Sequence, residues 1–293
     1  MSFSIRSNPL MHKIWNGVLS AATLVSPELN TRMYYRTSQG KRIDLMHPIQ
    51  FNEKVLWLKL NTYMNNDLVR QCSDKYAVRS YVERRDCGET LNPLLKVYDS
   101  ADEIRLEDLP QRFALKLNYG CTYNIICTDK SQFDLDAAKK QLNKWMRSKY
   151  YLVHSEMQYK NVERKILLEQ YIENQDGAFP DDFKFYCFDG EPKYLLHCTE
   201  RNVDHASKKF CDIEGNIVPF RTDCSNLGFV MPPCYLEMLQ VCRKLSEGFP
   251  FVRVDLYNSD GKVVFGELTF SPAGGTGKYT EEGSRVLGEL IHL

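Results

Sequence analysis

No run of apolar residues in the chain reaches the roughly 18–20 that a membrane-crossing helix requires. No charge sign is in excess either, since 38 Lys and Arg stand against 38 Asp and Glu. An even balance excludes a generally basic domain that grips nucleic acid by neutralising phosphates, so no nucleic-acid partner is expected. Among the ten cysteines no two are separated by just two residues, the spacing of zinc and redox motifs. They are scattered from Cys72 to Cys242 and read as free, mostly buried thiols of a reducing cytoplasm. A short apolar stretch near the start has no compact basic region before it and no small-residue cleavage site after it, so no cleaved leader is expected. Internal repeats, low-complexity linkers and the G-x-x-x-x-G-K-[ST] phosphate loop are all missing.

The 293 residues can bury one large or two medium domains, and their apolar content is too high for a disordered chain. Residues 10–25 carry Leu10, Met11, Ile14, Trp15, Val18, Leu19 and Ala22 at helical spacing, ended by Pro27. With only His12 and Lys13 as positive groups, this reads as a helix packed on the body rather than a membrane-surface helix. Residues 51–63 and 74–84 read as further helices, the latter with Asp74 as its cap. Beyond a turn at 86–93 the pattern changes to strands at 93–98, 113–117 and 125–127, followed by a helix at 134–149 and a strand at 165–172. Residues 182–197 hold two strands around Asp189-Gly190, and 209–213 and 216–220 flank Glu214-Gly215 similarly. A helix at 232–248 precedes a final hairpin, 251–257 and 262–270, around Ser259-Asp260-Gly261. The class is α+β.

That last hairpin is the richest in chemistry. Asp255 lies among Val252, Val254 and Leu256, and Glu267 lies between Phe265 and Leu268. Carboxylates in apolar strands are expensive to bury unless paired or metal-bound, and two on neighbouring strands can converge on Mg²⁺. Arg253 shares its side-chain parity with Asp255 and is placed to hold a phosphate. The plainer alternative is a structural ion pair of Arg253 with Asp255 or Glu267. Lys116 and Lys184 sit inside apolar strands, as phosphate-binding point charges or as lysines snorkelling at a sheet edge. Leu167–Glu173 leaves an apolar run for polar residues; such a strand end can offer backbone groups to a purine edge, with Glu169, Glu173 or Asp176 accepting from an adenine amine or ribose hydroxyls. The alternative there is a strand end with solvated acids. His197 and Arg201 follow a strand and either contact a substrate or, for the histidine, form an ordinary surface or hydrogen-bonded side chain; residues 198–212, with Arg201, Lys208 and Lys209, either receive an acidic ligand or form an ordinary loop; His154 and His205 have no assigned part.

Taken in order, these pieces resemble the ATP-grasp superfamily, and more specifically its TupA-like branch of teichuronopeptide and surface-polysaccharide biosynthesis. The resemblance runs from about Phe51 to the C-terminus and is carried by DKYAVRSYV, FALKLNYG, LLEQYI, DFKFYCFDGEPKY and FVRVDLYNSDGKVVFGELTFSPAGG. It implies an ATP-grasp fold with two α+β lobes clamping ATP and an extra N-terminal helical segment. The expected divisions are a helical extension over 1–50, an N-terminal subdomain over 51–110, a central lobe over 111–172 and a C-terminal lobe over 173–293. By resemblance Lys116 and Lys184 are the nucleotide lysines, and Glu169 with the Tyr171-Ile172 backbone reads adenine. Glu173 or Asp176 would hold the ribose, Asp255 and Glu267 Mg²⁺, and Arg253 the acyl-phosphate step. Two departures stand out. Thr269 occupies the place where many such enzymes have a third metal ligand, Asn, and the loop holding Gly120 is poorer in glycine than usual. The implied activity is ATP-dependent ligation of an amino acid or amine to a uronic acid or other acidic group of a bacterial capsular or cell-wall precursor. The implied place is the cytoplasm, with a peripheral position at the inner membrane face as a finer expectation, in contact with membrane-linked glycan machinery. A kinase on the same fold and a non-catalytic nucleotide-binding module are rivals. So is a glycosyltransferase, but the one D-x-D, Asp134-Leu135-Asp136, opens a helix and reads as its cap.

Overall fold

Two antiparallel sheets, each with its own apolar core, organise the chain. The computed structural model describes residues 9–199, 207–225 and 228–293. Arg201 and His205, singled out above, lie outside the described residues.

The smaller sheet has the order β1-β4-β2-β3. Its strands are β1 (Leu94–Tyr98), β2 (Phe113–Leu117), β3 (Asn124–Cys127) and β4 (Ile166–Gln170). Phe113, Leu115 and Leu117 point one way and join Ile166, Leu168 and Leu142 in a dry core. Leu142 comes from α6 (Leu135–Met146), which Asp134 caps by accepting from the Ala137 N–H at 2.9 Å. Alternation therefore leaves Ala114 and Lys116 on the opposite face.

The larger sheet has the order β7-β6-β5-β8-β9. It comprises β5 (Asp181–Phe188), β6 (Glu191–Thr199), β7 (Ser207–Asp212), β8 (Phe251–Ser259) and β9 (Lys262–Thr269). Asp189-Gly190 and Asp260-Gly261 turn the two hairpins with positive φ at both residues, as a tight two-residue turn demands. Phe183, Phe185, Val252, Val254 and Leu256 pack with Met238, Val241 and Leu245 of α8 (Tyr235–Ser246). No strand forms over 216–220; only a Cys211–Ile217 bridge marks that hairpin, so the pairing expected there stops after one contact.

The N-terminal third is more helical than its pattern suggests. Pro27 does end α1 (Pro9–Val25), but it also opens α2 (Pro27–Gln39), where its missing N–H does no harm and Ser26 caps the first turn. Helix α3 (Phe51–Leu58) runs on into a π turn, Lys59–Tyr63. Next come α4 (Asp67–Ser73) and α5 (Val78–Arg84). Asp74 does not start the 74–84 helix directly; it closes a turn by accepting from the N–H groups of Tyr76 and Ala77. Helix α1 contradicts the expectation of a packed apolar stripe: of that stripe only Leu19 and Ala22 are buried, while Leu10, Met11, Ile14 and Val18 are exposed. The helix packs on the body only through Leu19, Ala22 and Thr23, the last bonded to the Leu152 carbonyl, while the polar residues His12, Asn16 and Ser20 line a cavity. The chain continues through α7 (Tyr151–His154) and ends in α9 (Glu281–Glu289). All ten cysteines are among the described residues; none forms a disulfide, and eight are buried.

One backbone irregularity positions the acidic residues. Strand β9 pairs with β8 regularly from Ser259–Lys262 to Leu256–Phe265, then slips one residue so that Asp255 faces Glu267. Gly266 is the extra residue. Without the slip Glu267 would oppose Val254 and turn to the other face of the sheet. A Cβ at Gly266 would lie 2.9 Å from the Asp255 carbonyl oxygen. Gly266→Ala is therefore expected to lower stability by about 1–3 kcal/mol in urea unfolding, the usual range for overpacking against atoms that cannot yield.

Candidate active site

The face of the larger sheet turned away from α8 carries Lys184, Arg253, Asp255, Glu267 and Thr269. Strand register sets their order: Lys184 opposite Asp255, Asp255 opposite Glu267, Arg253 opposite Thr269. Asp255 is 2% exposed. Its Oδ1 accepts from Arg253 Nε and its Oδ2 from Arg253 Nη2, both at 2.7 Å, and Lys184 Nζ also donates to Oδ2 at 2.7 Å. Lys184 reaches Asp182 as well, at 2.6 Å. Burial by itself would raise the Asp255 pKa, but the two cations hold it below the ordinary carboxylate value. Burial would lower the Lys184 pKa, but Asp255 and Asp182 together with Tyr257 outweigh it and keep the lysine protonated. The ion pair foreseen as the plain alternative is thus present, in the same cluster as the second carboxylate. Glu267 is the open member of the set, its side chain 38% exposed. Its Oε1 accepts from Thr269 Oγ1 at 3.2 Å and lies 3.9 Å from Arg253.

Lys116 approaches from the smaller sheet and meets Glu169 Oε2 at 2.7 Å. Burial would depress this lysine, but Glu169 raises it overall. Glu169 is itself buried and takes a second, 3.4 Å hydrogen bond from Asn92 Nδ2. Lys116 and Glu169 line a cavity of about 390 Å³ together with Lys184, Asp255 and Glu267, so that residues of both sheets meet in one cleft. A neighbouring space of about 350 Å³ is bounded by Tyr171, Ile172, Ile126, Phe179 and Tyr257. Glu173 and Asp176 are not brought to either space. Glu173 pairs with Arg112, whose guanidinium lies over the Tyr171 ring, and Asp176 caps a turn through the Ala178 N–H at 2.9 Å. His197 is 5% exposed, packed on Phe183 and 2.9 Å from Asp181 Oδ2; it belongs to the sheet, not the cleft.

On the other side of Glu267 lies a larger cavity of about 920 Å³, also lined by Arg253, Thr269 and Gly120. Gly120 has φ +73° and sits against the Tyr150 ring, where a Cβ would come within 3.0 Å. His12, Asn16 and Ser20, one polar stripe of α1, roof this cavity with Tyr34 of α2. Four charged residues absent from the sequence-based selection belong here. Lys75 and Arg79 line the cleft, and Lys149 and Glu156 lie in the wall of the larger cavity. The DKYAVRSYV stretch held the signal for the first two: a turn-capping Asp74 followed by cations one helical turn apart. Nothing local marked Glu156, whose neighbours come from distant parts of the chain.

A family profile, the TupA-like ATP-grasp, matches residues 53–292. The chain belongs to that family. No curated protein sequence matches the chain. Among solved structures, similar folds include a D-alanine–D-alanine ligase from Bacillus anthracis in complex with ATP: 14% identity, 75% of this chain, 65% of that one, TM-score 0.44. An L-amino acid ligase from Bacillus licheniformis shows 14% identity over 76% of this chain and 49% of that one, TM-score 0.46. This chain thus spans just under two thirds of the first and about half of the second. The TupA-like match, rather than these distant likenesses, places the chain. No helix among the described residues is long and apolar enough to cross a membrane.

Behind the larger cavity Lys59, first residue of the π turn, is 4% exposed and donates to the His154 carbonyl at 3.0 Å. Burial pulls its pKa down to about 8, against the opposing pull of Glu156. Glu156, which accepts from Ser271 Oγ at 3.1 Å, is raised by burial, with Lys59 partly offsetting the shift. A lysine with a depressed folded pKa binds fewer protons than the unfolded chain between about pH 8 and its unfolded value near 10.4, so stability contributed at this site rises with pH across that window. Unfolding free energies of wild type and Lys59→Met should differ in slope there, with wild type gaining roughly 2–3 kcal/mol relative to the variant. Parallel curves would show that the lysine is not desolvated.

Proposed function

We propose that the chain is an ATP-dependent carboxylate–amine ligase acting on an acidic sugar of a bacterial surface-polysaccharide precursor. The observation that carries this reading is the meeting of Lys116, Lys184, Asp255 and Glu267 in one cleft, with Glu267 shared by a second, larger cavity that Arg253 also lines. The nucleotide occupies the cleft, with adenine between Ile126, Tyr171, Ile172, Phe179 and Tyr257 and its phosphates toward Lys116 and Lys184. Glu169 acts through Lys116, which it orients, rather than through the base. Asp255, Glu267 and Thr269 supply only oxygen donors, and Asp255 Oδ1, which accepts the Arg253 Nε hydrogen bond alone, keeps a second lone pair free. That set fits Mg²⁺, which those three residues would hold. Such an ion, when bound, offsets charge on the transferring phosphoryl group.

The larger cavity receives the carboxylate acceptor and the amine. A carboxylate oxygen attacks the γ-phosphorus and ADP departs; the amine then attacks the acyl carbon and inorganic phosphate departs. Arg253 lines the larger cavity beside Glu267, which lines both spaces, and is placed to stabilise charge on the phosphoryl oxygens. Lys75, Lys149 and Arg253 around the larger cavity favour an acidic acceptor. Exposed Leu10, Ile14, Val18, Leu24 and Val25 on α1, the helix that roofs this cavity, support an acceptor presented at the inner membrane face.

Glu267 is the better probe of the site, because removing buried Asp255 would strand Arg253 and Lys184 and cost about 3–5 kcal/mol of stability. A phosphate-release screen of amino acids against uronic-acid nucleotide sugars should find release that needs both substrates. Glu267→Ala should then lower kcat at least 100-fold with an unchanged unfolding transition. Release of ADP with a stable phosphorylated product and no free phosphate would make the chain a kinase instead.

A further inference from the structure

The wall of the larger cavity holds hydrogen-bonding groups that the protein leaves unused. Gln158, in a single 3₁₀ turn (Met157–Tyr159), is 5% exposed and lines this cavity, yet its amide makes no hydrogen bond to any described residue. A buried amide without a partner carries the cost of its lost hydration, and a ligand that fills the cavity removes that cost. Asn16 of α1 and Tyr34 of α2 line the same cavity and are half-buried. Neither the Asn16 amide nor the Tyr34 hydroxyl is hydrogen-bonded to a described residue. All three side chains are neutral, and each both donates and accepts.

Buried bonds fix their places. Thr23 of α1 donates to the Leu152 carbonyl at 2.6 Å and stands 2.8 Å from Ser155 Oγ. Asn30 of α2 donates to the Leu19 carbonyl at 2.7 Å and to the Val153 carbonyl at 3.0 Å. The α1–α2 pair is thereby fastened to residues 151–155, just before the turn that carries Gln158. The Tyr34 ring lies 4.5 Å from the His154 ring between centroids and packs against Gly274. A site held in this way loses little freedom when a ligand binds.

Position then separates two parts of the ligand. Lys75 and Glu267 line both the cleft and the larger cavity, so the reacting carboxylate belongs at that boundary. Asn16, Tyr34 and Gln158 line the larger cavity alone and meet the rest of the molecule. An apolar remainder would bury the three polar groups unpaired; one rich in hydroxyls pairs them, and such sites discriminate strongly.

We propose that Gln158, Asn16 and Tyr34 form the subsite that reads the ring hydroxyls of the acceptor sugar and so sets which uronic acid the protein accepts. The subsite rests on the ligase reading above. Asn16 and Tyr34 precede residues 53–292, so two of its three members lie outside the family match.

The test is calorimetric titration of the full chain, loaded with a non-hydrolysable ATP analogue and Mg²⁺, with the methyl glycosides of glucuronic, galacturonic and mannuronic acid. These probes share the carboxylate and differ only in the configuration of ring hydroxyls. Wild type is expected to prefer one of them at least tenfold. Gln158→Met and Tyr34→Phe should each weaken that one about tenfold, the size of one lost hydrogen bond, and narrow the preference, with affinity for the ATP analogue unchanged. The melting temperature of Gln158→Met should equal or exceed that of wild type, since the amide has no partner to lose. A lower melting temperature with unchanged uronide affinity assigns Gln158 to the fold and overturns the subsite. Equal affinity of wild type for the three probes, or an unaltered preference in both variants, does the same. If the ATP analogue binds and no uronide does, the uronic-acid reading of the acceptor falls and the subsite with it.

Discussion

The bidentate pairing of Arg253 with Asp255, shared with Lys184, is the interaction on which the site depends. Each of these charges is nearly removed from water. Stripping a carboxylate or guanidinium of its hydration costs several kcal/mol, and only close mutual contact offsets it. The cluster therefore locks three side chains from two adjacent strands into one geometry. It also leaves Glu267, on the third strand, as the carboxylate with room to act. A bulge at Gly266 is what puts Glu267 on this face at all. Packing on the other face, against α8, keeps the strands from shifting.

The same division of labour recurs on the smaller sheet. Lys116 is held by Glu169 across strands β2 and β4, and the opposite face is an apolar core. Two sheets, each with a dry side and a charged side, present their charged sides to one cleft. The N-terminal helices then complete it: α5 brings Arg79, the turn before it brings Lys75, and α1 and α2 close the larger cavity. The segment before the sheets is thus part of the site.

Much of this was legible in the residues. Asp-Gly turns flanked by alternating apolar residues marked both hairpins of the larger sheet, because few other dipeptides tolerate positive φ twice in succession. Asp134 marked the start of α6 by its capping oxygen. Lys116, Lys184, Asp255 and Glu267 stood out because a charge in an apolar strand needs a partner. What escaped lacked a local cause. Helix α4 is seven residues long and has too few apolar positions to show a period. Helix α2 hid behind Pro27, which closes one helix and opens the next with equal ease. Glu173 and Asp176 looked like ribose acids, but Arg112 and a tight turn engage them.

By itself the sequence determined which residues carry charge into apolar strands, where the tight turns fall and which family the chain joins, since each of these is written in residue type at short range. Only the tertiary structure decided which charges meet. That Lys184 shares Asp255 with Arg253, that Glu169 serves Lys116, and that α1 turns its polar stripe to a cavity follow from strand register and helix placement. Those depend on contacts between residues far apart in the chain, including one bulge whose single extra residue reverses the face on which a carboxylate emerges.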